Sequence, residues 1–466
     1  MESNLIKRPP NMHSPLSRRA GPSRRAGGIY AKPKAPEANR DLKNAIWAYF
    51  LLIIFEGALR KWFIPGLATP LLVIRDPIVL WALIKAGQRK LLPANGYTAV
   101  MYIVTIIGFV LAILIGHGNM AVAIFGARIT LLHFPFMFVI GNVLTRKDII
   151  KIGRVTLLIA VPMTLLIGLQ FYSPQTAWVN RGIGGAVVDG FTGAKGFSRP
   201  SGTFSFTSGT SIFYGLVACY VFYFFVEPGE IKKYLLWAGM GALMIALPLS
   251  ISRTLFSEIL LSLLFAVIVM VRKPKHLGKV VGSLVIGALI LLVLSRFQFF
   301  LTALDALSTR FEQASEGEGT NAAQAFVDRL FGGLGSAVVN SSKLPLFGLG
   351  LGMGTNVGAI LLTGEKIFLI SEGEWGRVIG EQGLLMGAII ILTRVGLSLK
   401  LAVASYRRMV LDEVLPWLLL SNTFMNLSLA EFGQPTSLGF STLMGGLLIA
   451  ALKTSPVNGK TIRFKI

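Results

Sequence analysis

Three carboxylates and an arginine are concentrated between residues 372 and 381, just before a long apolar stretch. On a helix, Glu374, Arg377 and Glu381 would share one face, and Glu372 would lie at its leading end. Ionisable groups at a membrane edge are costly and by default mark a functional site. A carboxylate could act there as a general base while the arginine stabilises a leaving anion. The alternative is a plain Arg377–Glu381 pair that orients the helix.

Two further arginines stand beside hydroxyl side chains. Arg199 lies in GFSRPSGTFSFTSG at 196–209, where a cation with Ser and Thr donors would suit a phosphate or sugar hydroxyls. Arg253, in LSISRTLFSEILLS at 249–262, precedes an apolar stretch, and a helix N-terminus there would favour an anion. The alternatives are an Arg199 held by the carbonyls of its own loop and an Arg253 that reaches the interface paired with Glu258.

The remaining charges near apolar stretches favour supporting roles. In the segment 55–77, Glu56 and Arg60 are spaced as a helical i,i+4 pair. We expect a structural ion-pair cluster at this hairpin, since charges near the membrane boundary can pair with one another. Arg128 falls deep inside an apolar stretch and needs a partner or a polar cavity. The candidates for a supporting role are therefore Arg60, Arg128 and Glu381.

The glycine run GLGLGMG at 348–354 predicts a sharp turn or a close backbone approach. It lacks the GK[ST] ending of a phosphate-binding loop and the strand context of a dinucleotide fold. Cys219 is the single cysteine, and the four histidines are scattered without ligand spacing. We therefore expect no disulfide, no metal centre and no cofactor.

The composition predicts an all-α polytopic membrane protein. Hydrophobic residues make up 53% of the 466 residues and charged residues only 14%, and the mean hydropathy is +0.66. The formal net charge of +23 could suggest a nucleic-acid partner. A nucleic-acid binder would cluster its basic residues on one soluble face, whereas here they lie between apolar runs.

Apolar stretches of the length that crosses a bilayer predict about twelve spans. They cover residues 45–63, 70–86, 98–116, 119–141, 154–173, 208–226, 233–250, 254–271, 279–297, 379–399, 411–430 and 436–452. The stretch 367–378 is too polar to span and is expected to lie at the interface or to re-enter the membrane.

The basic residues indicate the orientation, because short cytoplasmic loops hold an excess of Lys and Arg. With both termini inside, the cytoplasmic segments contain 31 of the 45 Lys and Arg residues. Residues 1–44 would form a disordered basic cytoplasmic tail, which is either merely solvated or docks on anionic lipid headgroups. This tail has no apolar core of a cleaved signal peptide, so the first span is expected to be retained. Residues 45–453 would form a single transmembrane domain, and 454–466 a short cytoplasmic tail.

Two predicted outer loops are large, at about 174–207 and 298–378. The second separates spans nine and ten and contains Glu372 and Glu374. Because loops held on a rigid scaffold commonly carry function, we expect the candidate site there.

Four short motifs, in this order, resemble the O-antigen ligase and polysaccharide polymerase superfamily. They are R-P-S-G-T-F at Arg199–Phe204, S-x-S-R-T at Ser250–Thr254, G-x-G-x-G at Gly348–Gly352, and an acidic residue, Glu372, nine positions before E-x-G-L-L-x-G at Glu381–Gly387. The resemblance covers roughly residues 196–400.

The resemblance implies a metal-independent, GT-C-like glycosyltransferase at the outer face of a bacterial inner membrane. Its donor would be a glycan on undecaprenyl diphosphate, with membrane lipids and polysaccharide-assembly proteins such as a chain-length regulator as partners. Arg199 and Arg253 are implied as diphosphate ligands, and Arg377 as an assisting residue. Glu372 stands where ligases of this superfamily often carry histidine. The acidic residue favours a polymerase of exopolysaccharide, capsule or O-antigen repeats over a ligase.

Two other classes of function remain open at this point. A twelve-span transporter or glycan flippase fits the same topology, although such proteins place ionisable residues near the midplane, often in two related halves. No repeat between halves is visible, and the candidate site lies at the predicted outer boundary. A non-catalytic scaffold of an envelope complex is the third possibility.

Overall fold

We analysed a computed structural model that describes residues 39–92, 94–187, 193–272, 277–318, 333–341, 344–365, 367–454, 456–457 and 460–461. Helices dominate these residues, and two antiparallel strands of two residues each, β1 (Pro456–Val457) and β2 (Lys460–Thr461), follow the last helix. Most of the predicted basic tail at 1–44 lies outside the described residues; its last few residues begin the first helix. Most of the predicted tail at 454–466 also lies outside them.

Sixteen α-helices account for the described helical residues. In chain order they are α1 (Arg40–Ala58), α2 (Asp76–Gln88), α3 (Gly96–Leu114), α4 (Met120–Arg128), α5 (Phe134–Val143), α6 (Arg146–Tyr172), α7 (Thr207–Val226), α8 (Lys233–Leu249), α9 (Arg253–Arg272), α10 (Leu277–Leu294), α11 (Gln298–Glu318), α12 (Gly333–Ser341), α13 (Asn356–Thr363), α14 (Glu374–Val410), α15 (Val414–Ser428) and α16 (Pro435–Thr454). A π-helical turn, Leu59–Phe63, continues α1, and a second, Ile129–His133, joins α4 to α5.

Polar caps mark where several of these helices begin. The side chains of Asn95 and Asn119 accept hydrogen bonds from the first backbone amides of α3 and α4. Thr145 and Asp148 form a reciprocal capping box at the start of α6. Such caps satisfy amides that have no partner within the helix, and they fix the point where each apolar segment starts.

The predicted spans all fall on helices, but the helices differ in length. Among the described residues, eight helical segments are long and apolar enough to cross a membrane. A ninth is counted if Val285–Leu294 and Gln298–Gln313, bent by 106° relative to each other, are one span. The other predicted spans correspond to α2, α8 and α15, which have 13, 17 and 15 residues. The chain is therefore a multi-pass helical membrane protein.

The centre of the fold is built on α7 and α16. The apolar windows of both helices are buried along their whole length, whereas the windows of α3 and α9 are only one-third buried. A helix that is apolar all round and buried all round is typical of the interior of a bundle. The beginnings of α7 and α16 therefore have fixed positions against which the neighbouring connections pack.

A reversal inside α14 brings distant residues together. Gly383 has φ 76° and ψ 170°, which breaks the helix into an arm, 374–382, and a long apolar segment, 384–410. A Cβ at Gly387 would lie 2.8 Å from Ile379 Cα, so the arm folds back along the segment that follows it. The polar stretch at 367–378, which we expect to lie at the interface or to re-enter the membrane, thus leads into a helical arm that turns at Gly383.

The glycine run fits against this reversal, as the sequence predicts. Gly348, Gly350 and Gly352 have φ values of 75°, 111° and 90°, a backbone region that glycine adopts without steric cost. The amides of Leu349 and Gly350 donate to the carbonyls of Gly380 and Glu381 at 2.8 and 3.0 Å. The run is therefore a close-approach loop that supports the end of the α14 arm.

Candidate functional site

Four buried charged side chains meet at the α14 reversal, and we name them the cavity network: Glu374, Arg377, Glu381 and Arg394. Arg377 joins the two carboxylates, since Nε and Nη2 donate to Glu374 at 2.9 Å and Nη1 donates to Glu381 at 2.7 Å. Arg394 donates to Glu374 Oε1 at 2.5 Å. Two positive and two negative charges balance one another, which buried charges require.

The contact between Glu374 and Arg394 depends on the reversal. The two residues are 20 positions apart, and a straight helix would separate them by about 30 Å. The side chain of Arg394 is 2% exposed and pairs with Glu374 inside the fold. The predicted shared face of Glu374, Arg377 and Glu381 is present on the arm.

The cavity network also holds the connection between α15 and α16. Arg394 donates to the carbonyls of Leu427 and Ala430 at 3.0 and 2.7 Å, and its guanidinium lies 3.6 Å from the centre of the Phe432 ring. A Cβ at Gly433 would lie 3.0 Å from Arg377 Cδ, so glycine allows the connection to pack directly on that arginine. The network thereby fixes residues 429–434.

A cavity of about 590 Å³ opens beside the network. Its wall combines α12, the segment before α14, the first turn of α14 and the α15–α16 connection. The polar side chains on this wall are those of Ser336, Asn340, Ser371, Glu374 and Glu431. A cavity of this size, with a few convergent polar groups, suits a small ligand or part of a larger one.

Glu372 lies next to this cavity and not inside the network. Glu372 is exposed, and it lines a smaller adjoining cavity together with Arg377, Glu431 and Gln434. It is therefore accessible to a substrate, whereas Glu374 is 4% exposed and is occupied by two arginines.

Glu431 is a site residue that the sequence analysis missed. It lines both cavities, and Gln434 Nε2 donates to its Oε2. Burial, together with the negative charges of Glu374 and Glu372, raises the pKa of Glu431 to about 7. The only feature of the sequence that could have indicated Glu431 is its position as a lone carboxylate in a short predicted outer turn, LAEFGQP. No recognisable motif surrounds it.

The charges of Arg253 and of a third arginine, Arg310, act on Arg199, so the two predicted diphosphate ligands share one electrostatic environment. Burial, and the charges of Arg310 and Arg253, lower the pKa of Arg199. Arg199 Nε is buried and has no hydrogen-bond partner among the described residues. The carbonyls of its own loop therefore do not satisfy all the donors of this side chain, as the alternative interpretation would require. The guanidinium of Arg199 therefore lies in a positive environment and has an unused donor for an anion.

Arg310 reaches this position because α11 packs on α9. Phe311 contacts Phe256 edge to face at a centroid distance of 5.4 Å. The side chains of Lys195 and Asp305 form an ion pair between α11 and the loop that carries Arg199. Sequence reasoning missed Arg310 because it lies in the 298–378 segment without a motif, and only the packing of α11 indicates its role.

The first turns of α7 connect the arginine cluster to the cavity. Ser208 Oγ donates to Gln434 Oε1 at 3.2 Å, and Gln434 in turn contacts Glu431. One turn later, Ser211 Oγ and Ser252 Oγ are hydrogen-bonded at 2.7 Å, beside Arg253. Residues three apart lie on the same side of a helix, so both parts of the site are built on one face of α7.

A second group of buried charges, which we name the hairpin network, contains Glu56, Arg60, Lys61 and Arg75. Glu56 pairs with Arg75 at 2.9 Å and with Arg60 at 3.4 Å, so the predicted ion-pair cluster is present. Arg60 Nη1 donates to Ser205 Oγ at 3.0 Å. Lys61 Nζ donates to Ser201 Oγ at 3.0 Å and to the Gly202 carbonyl at 2.6 Å. The hairpin network therefore holds the segment that follows Arg199.

Arg128 has the partner that its depth requires. Its Nη1 donates to both oxygens of Asp76 at 2.8 and 2.9 Å, and His133 Nε2 lies 3.0 Å from Asp76 Oδ1. Tyr49 Oη completes the chain at 2.9 Å from His133 Nδ1. This chain joins α1, α2 and α4 and gives Arg128 a supporting role in the fold.

Within the described ranges, the structure brings together no group of three His, Cys, Asp or Glu side chains that could hold a metal ion. The predicted residues instead form two assemblies: Arg199 with Arg253, and Glu372 beside the cavity network. No protein family model matches this sequence, and no curated protein matches it either.

Proposed function

We propose that this protein transfers a glycan from a polyprenyl diphosphate carrier to the hydroxyl group of an acceptor sugar. The carrier would be undecaprenyl diphosphate and the product a longer exopolysaccharide, capsule or O-antigen chain. Arg199 is the observation that carries the proposal, because its buried Nε has no hydrogen-bond partner among the described residues and the positive charges of Arg253 and Arg310 act on it.

The proposed reaction needs one anion site and one proton acceptor. The acceptor oxygen attacks the anomeric carbon, a glycosidic C–O bond forms, and the bond from that carbon to the diphosphate oxygen breaks. The diphosphate leaves with the electron pair, and the three arginines stabilise its charge. A carboxylate on the cavity side takes the hydroxyl proton, and Glu372 is the candidate that the motif order supplies.

The cavity network has an organising role in this proposal. Arg377, proposed from the sequence to assist the leaving group, directs its three nitrogens to Glu374 and Glu381. We therefore assign Arg377 to fixing the position of the cavity wall, together with Glu374 and Glu381. Glu374 is not the proton acceptor in this scheme, because both of its oxygens already accept from arginine.

The proposal includes an orientation in the membrane. We infer about twelve crossing segments in a GT-C-like arrangement, with both termini in the cytoplasm of a bacterium and the cavity toward the outer face of the inner membrane. The distribution of Lys and Arg supports this orientation. Membrane lipids, the lipid-linked glycan and a chain-length regulator or another assembly protein would be its partners.

Turnover by the purified protein tests the proposal. The protein in lipid nanodiscs is given undecaprenyl-diphosphate-linked repeats, and the products are sized by mass spectrometry. We expect longer lipid-linked chains and released undecaprenyl diphosphate. Arg253→Ala and Arg310→Ala should each lower kcat by about 100-fold, the usual effect of removing one electrostatic donor from a transition state.

Arg181→Ala is the matched control, because Arg181 is exposed and lies in the same predicted outer loop as Arg199. This variant should retain the wild-type rate. If the wild-type protein moves the lipid-linked glycan between leaflets of proteoliposomes and makes no new glycosidic bond, the protein is a flippase and the proposal is wrong. Wild-type turnover in Arg253→Ala and Arg310→Ala would remove the diphosphate site.

A further inference from the structure

The connection between α15 and α16 is short, yet it has more fixed contacts than its sequence suggests. The carbonyl of Ala430 and the ring of Phe432 contact Arg394, and Gly433 packs on Arg377. Gln434 contacts Ser208 on α7. Contacts on both sides of Glu431 thus fix its backbone, and pre-organisation of this kind is what a reacting side chain needs.

Glu431 is also placed where a substrate hydroxyl could reach it. Its side chain lies on the wall of the 590 Å³ cavity and of the smaller cavity shared with Glu372. Gln434 occupies Oε2, and among the described residues Oε1 has no hydrogen-bond partner. One carboxylate oxygen of this wall residue is therefore held by Gln434, and the other is left without a protein partner in the described part of the chain.

The charged groups around Glu431 favour its protonated form. From α14 it faces the carboxylate of Glu374 and the guanidinium of Arg377, and from the preceding segment it faces the carboxylate of Glu372. Burial and the two carboxylates raise its pKa to about 7, while Arg377 and Gln434 oppose that shift. A general base works best when its pKa is near the working pH.

We propose that Glu431 is the residue that accepts the proton from the attacking sugar hydroxyl, with Glu372 as an electrostatic neighbour at the cavity mouth. This inference rests on the proposed function. In the reaction, the proton moves from the acceptor hydroxyl to Glu431 Oε1 as the glycosidic bond forms. Glu431 then returns the proton to solvent through the cavity before the next turnover.

The test is the pH dependence of turnover by the full-length protein in nanodiscs. In wild type, kcat should rise with pH through about 7 as Glu431 loses its proton. Glu431→Gln should lower kcat by at least 100-fold, within the range for loss of a general base, and should abolish that rise. Glu372→Gln should keep the rise but move it to lower pH, because a neighbouring negative charge is gone.

A matched control and a second variant make the outcome decisive. Glu365→Gln, an exposed carboxylate in the same predicted outer loop as Glu372, should keep the wild-type rate and profile. If Glu431→Gln cannot be purified folded, Glu431→Ala is assayed with added formate, which should restore part of the rate by supplying a carboxylate. An absence of formate rescue in a folded Glu431→Ala protein contradicts the assignment.

The two proposals fail in different ways. If wild type turns over and Glu431→Gln keeps its rate and pH profile, Glu431 is not the base and the proposed function stands. If Glu372→Gln loses the pH-dependent rise while Glu431→Gln retains it, Glu372 is the base. If wild type forms no glycosidic bond with any lipid-linked donor, the proposed function itself is wrong.

Discussion

The hairpin network and the cavity network are both buried groups of charges, but they meet different surroundings. In the hairpin network, Glu56 pairs with Arg60 and Arg75. Arg60 and Lys61 donate to hydroxyls or a carbonyl of the segment 201–205. In the cavity network, two carboxylates balance two arginines, and Glu374 forms part of the wall of the 590 Å³ cavity. The hairpin network has one acidic residue and three basic ones, whereas the cavity network has two of each.

The comparison shows that buried charges can act by fixing the position of neighbouring segments. Each network fixes a connection that carries a reactive candidate: the hairpin network holds the residues after Arg199, and the cavity network holds the residues around Glu431. Concentrated charge in the sequence therefore identifies the supporting structure. The candidates for a direct role in the reaction, Arg199 and Glu431, lie beside these networks and outside the charge concentrations themselves.

The largest expected effect comes from breaking the cavity network. Arg394→Met removes the partner of Glu374 and the donor to Ala430, and leaves a buried carboxylate with one arginine. We expect a loss of about 3 to 5 kcal/mol in the free energy of unfolding, the usual consequence of breaking a buried ion pair. The folded fraction should show a lower kcat, because Glu431 is no longer held, and thermal denaturation with turnover assays measures both.

Arg407→Met, an exposed position on the same helix, is the control and should leave both quantities unchanged. A folded Arg394→Met protein with wild-type kcat would show that the cavity network is not needed to position Glu431. The role that the comparison gives to this network would then be wrong.

A smaller and different effect should follow from weakening the hairpin network. Lys61→Met keeps the apolar length of the side chain but removes Nζ, which donates the hydrogen bonds to Ser201 and Gly202. These two hydrogen bonds from a charged group together contribute at least about 1.5 kcal/mol, and a loss of that size corresponds to roughly a tenfold change in binding. We expect the KM for the lipid-linked donor to rise about tenfold with kcat nearly unchanged, because Arg199 is displaced and Glu431 is not.

Steady-state kinetics against donor concentration measure this difference, with Lys147→Met, an exposed lysine, as the control. If Lys61→Met lowers kcat and leaves KM unchanged, the hairpin network acts on the bond-forming step, and the division of roles between the two networks is wrong.

The third effect concerns the pH dependence of stability. Because the pKa of Glu431 rises from its ordinary value of 4.5 to about 7 on folding, the folded protein binds this proton more tightly than the unfolded chain does. Its stabilising contribution is therefore complete below pH 4.5 and is lost as the pH rises to about 7. The stability of the Glu431→Gln variant should not fall in this way, because glutamine does not titrate.

Thermal melting of wild type and Glu431→Gln at pH 5, 6 and 7.5 measures the difference between the two proteins. The variant should gain stability relative to wild type as the pH rises. A difference that stays constant across this range would show that Glu431 titrates alike in the folded and unfolded states.

Local patterns predicted several parts of the site correctly. The spacing of Glu374, Arg377 and Glu381 indicated one helical face, and the glycine run indicated a close-approach loop. The pairing of Glu56 with Arg60 and the need of Arg128 for a partner followed from the cost of burying charge. These predictions succeeded because helix periodicity and desolvation act within a few residues of the chain.

Other parts of the site depend on contacts that no local pattern encodes. Nothing near Arg394 indicates that it pairs with Glu374, because the contact requires the reversal at Gly383. Arg310 joins Arg199 only through the packing of α11 on α9. Each of these contacts joins segments that are far apart in sequence or are separated by a break in a helix.

By itself, the sequence determined an apolar helical chain that carries arginines and carboxylates beside predicted membrane spans, because composition and periodicity are properties of the chain alone. Only the tertiary structure decided which of those charges support the fold and which face a cavity. The physical reason is that burial raises the cost of a charge and changes its affinity for a proton, and burial is a property of the packed molecule. Glu431 is unremarkable in the sequence, and it becomes a candidate base because the folded chain surrounds it with other carboxylates.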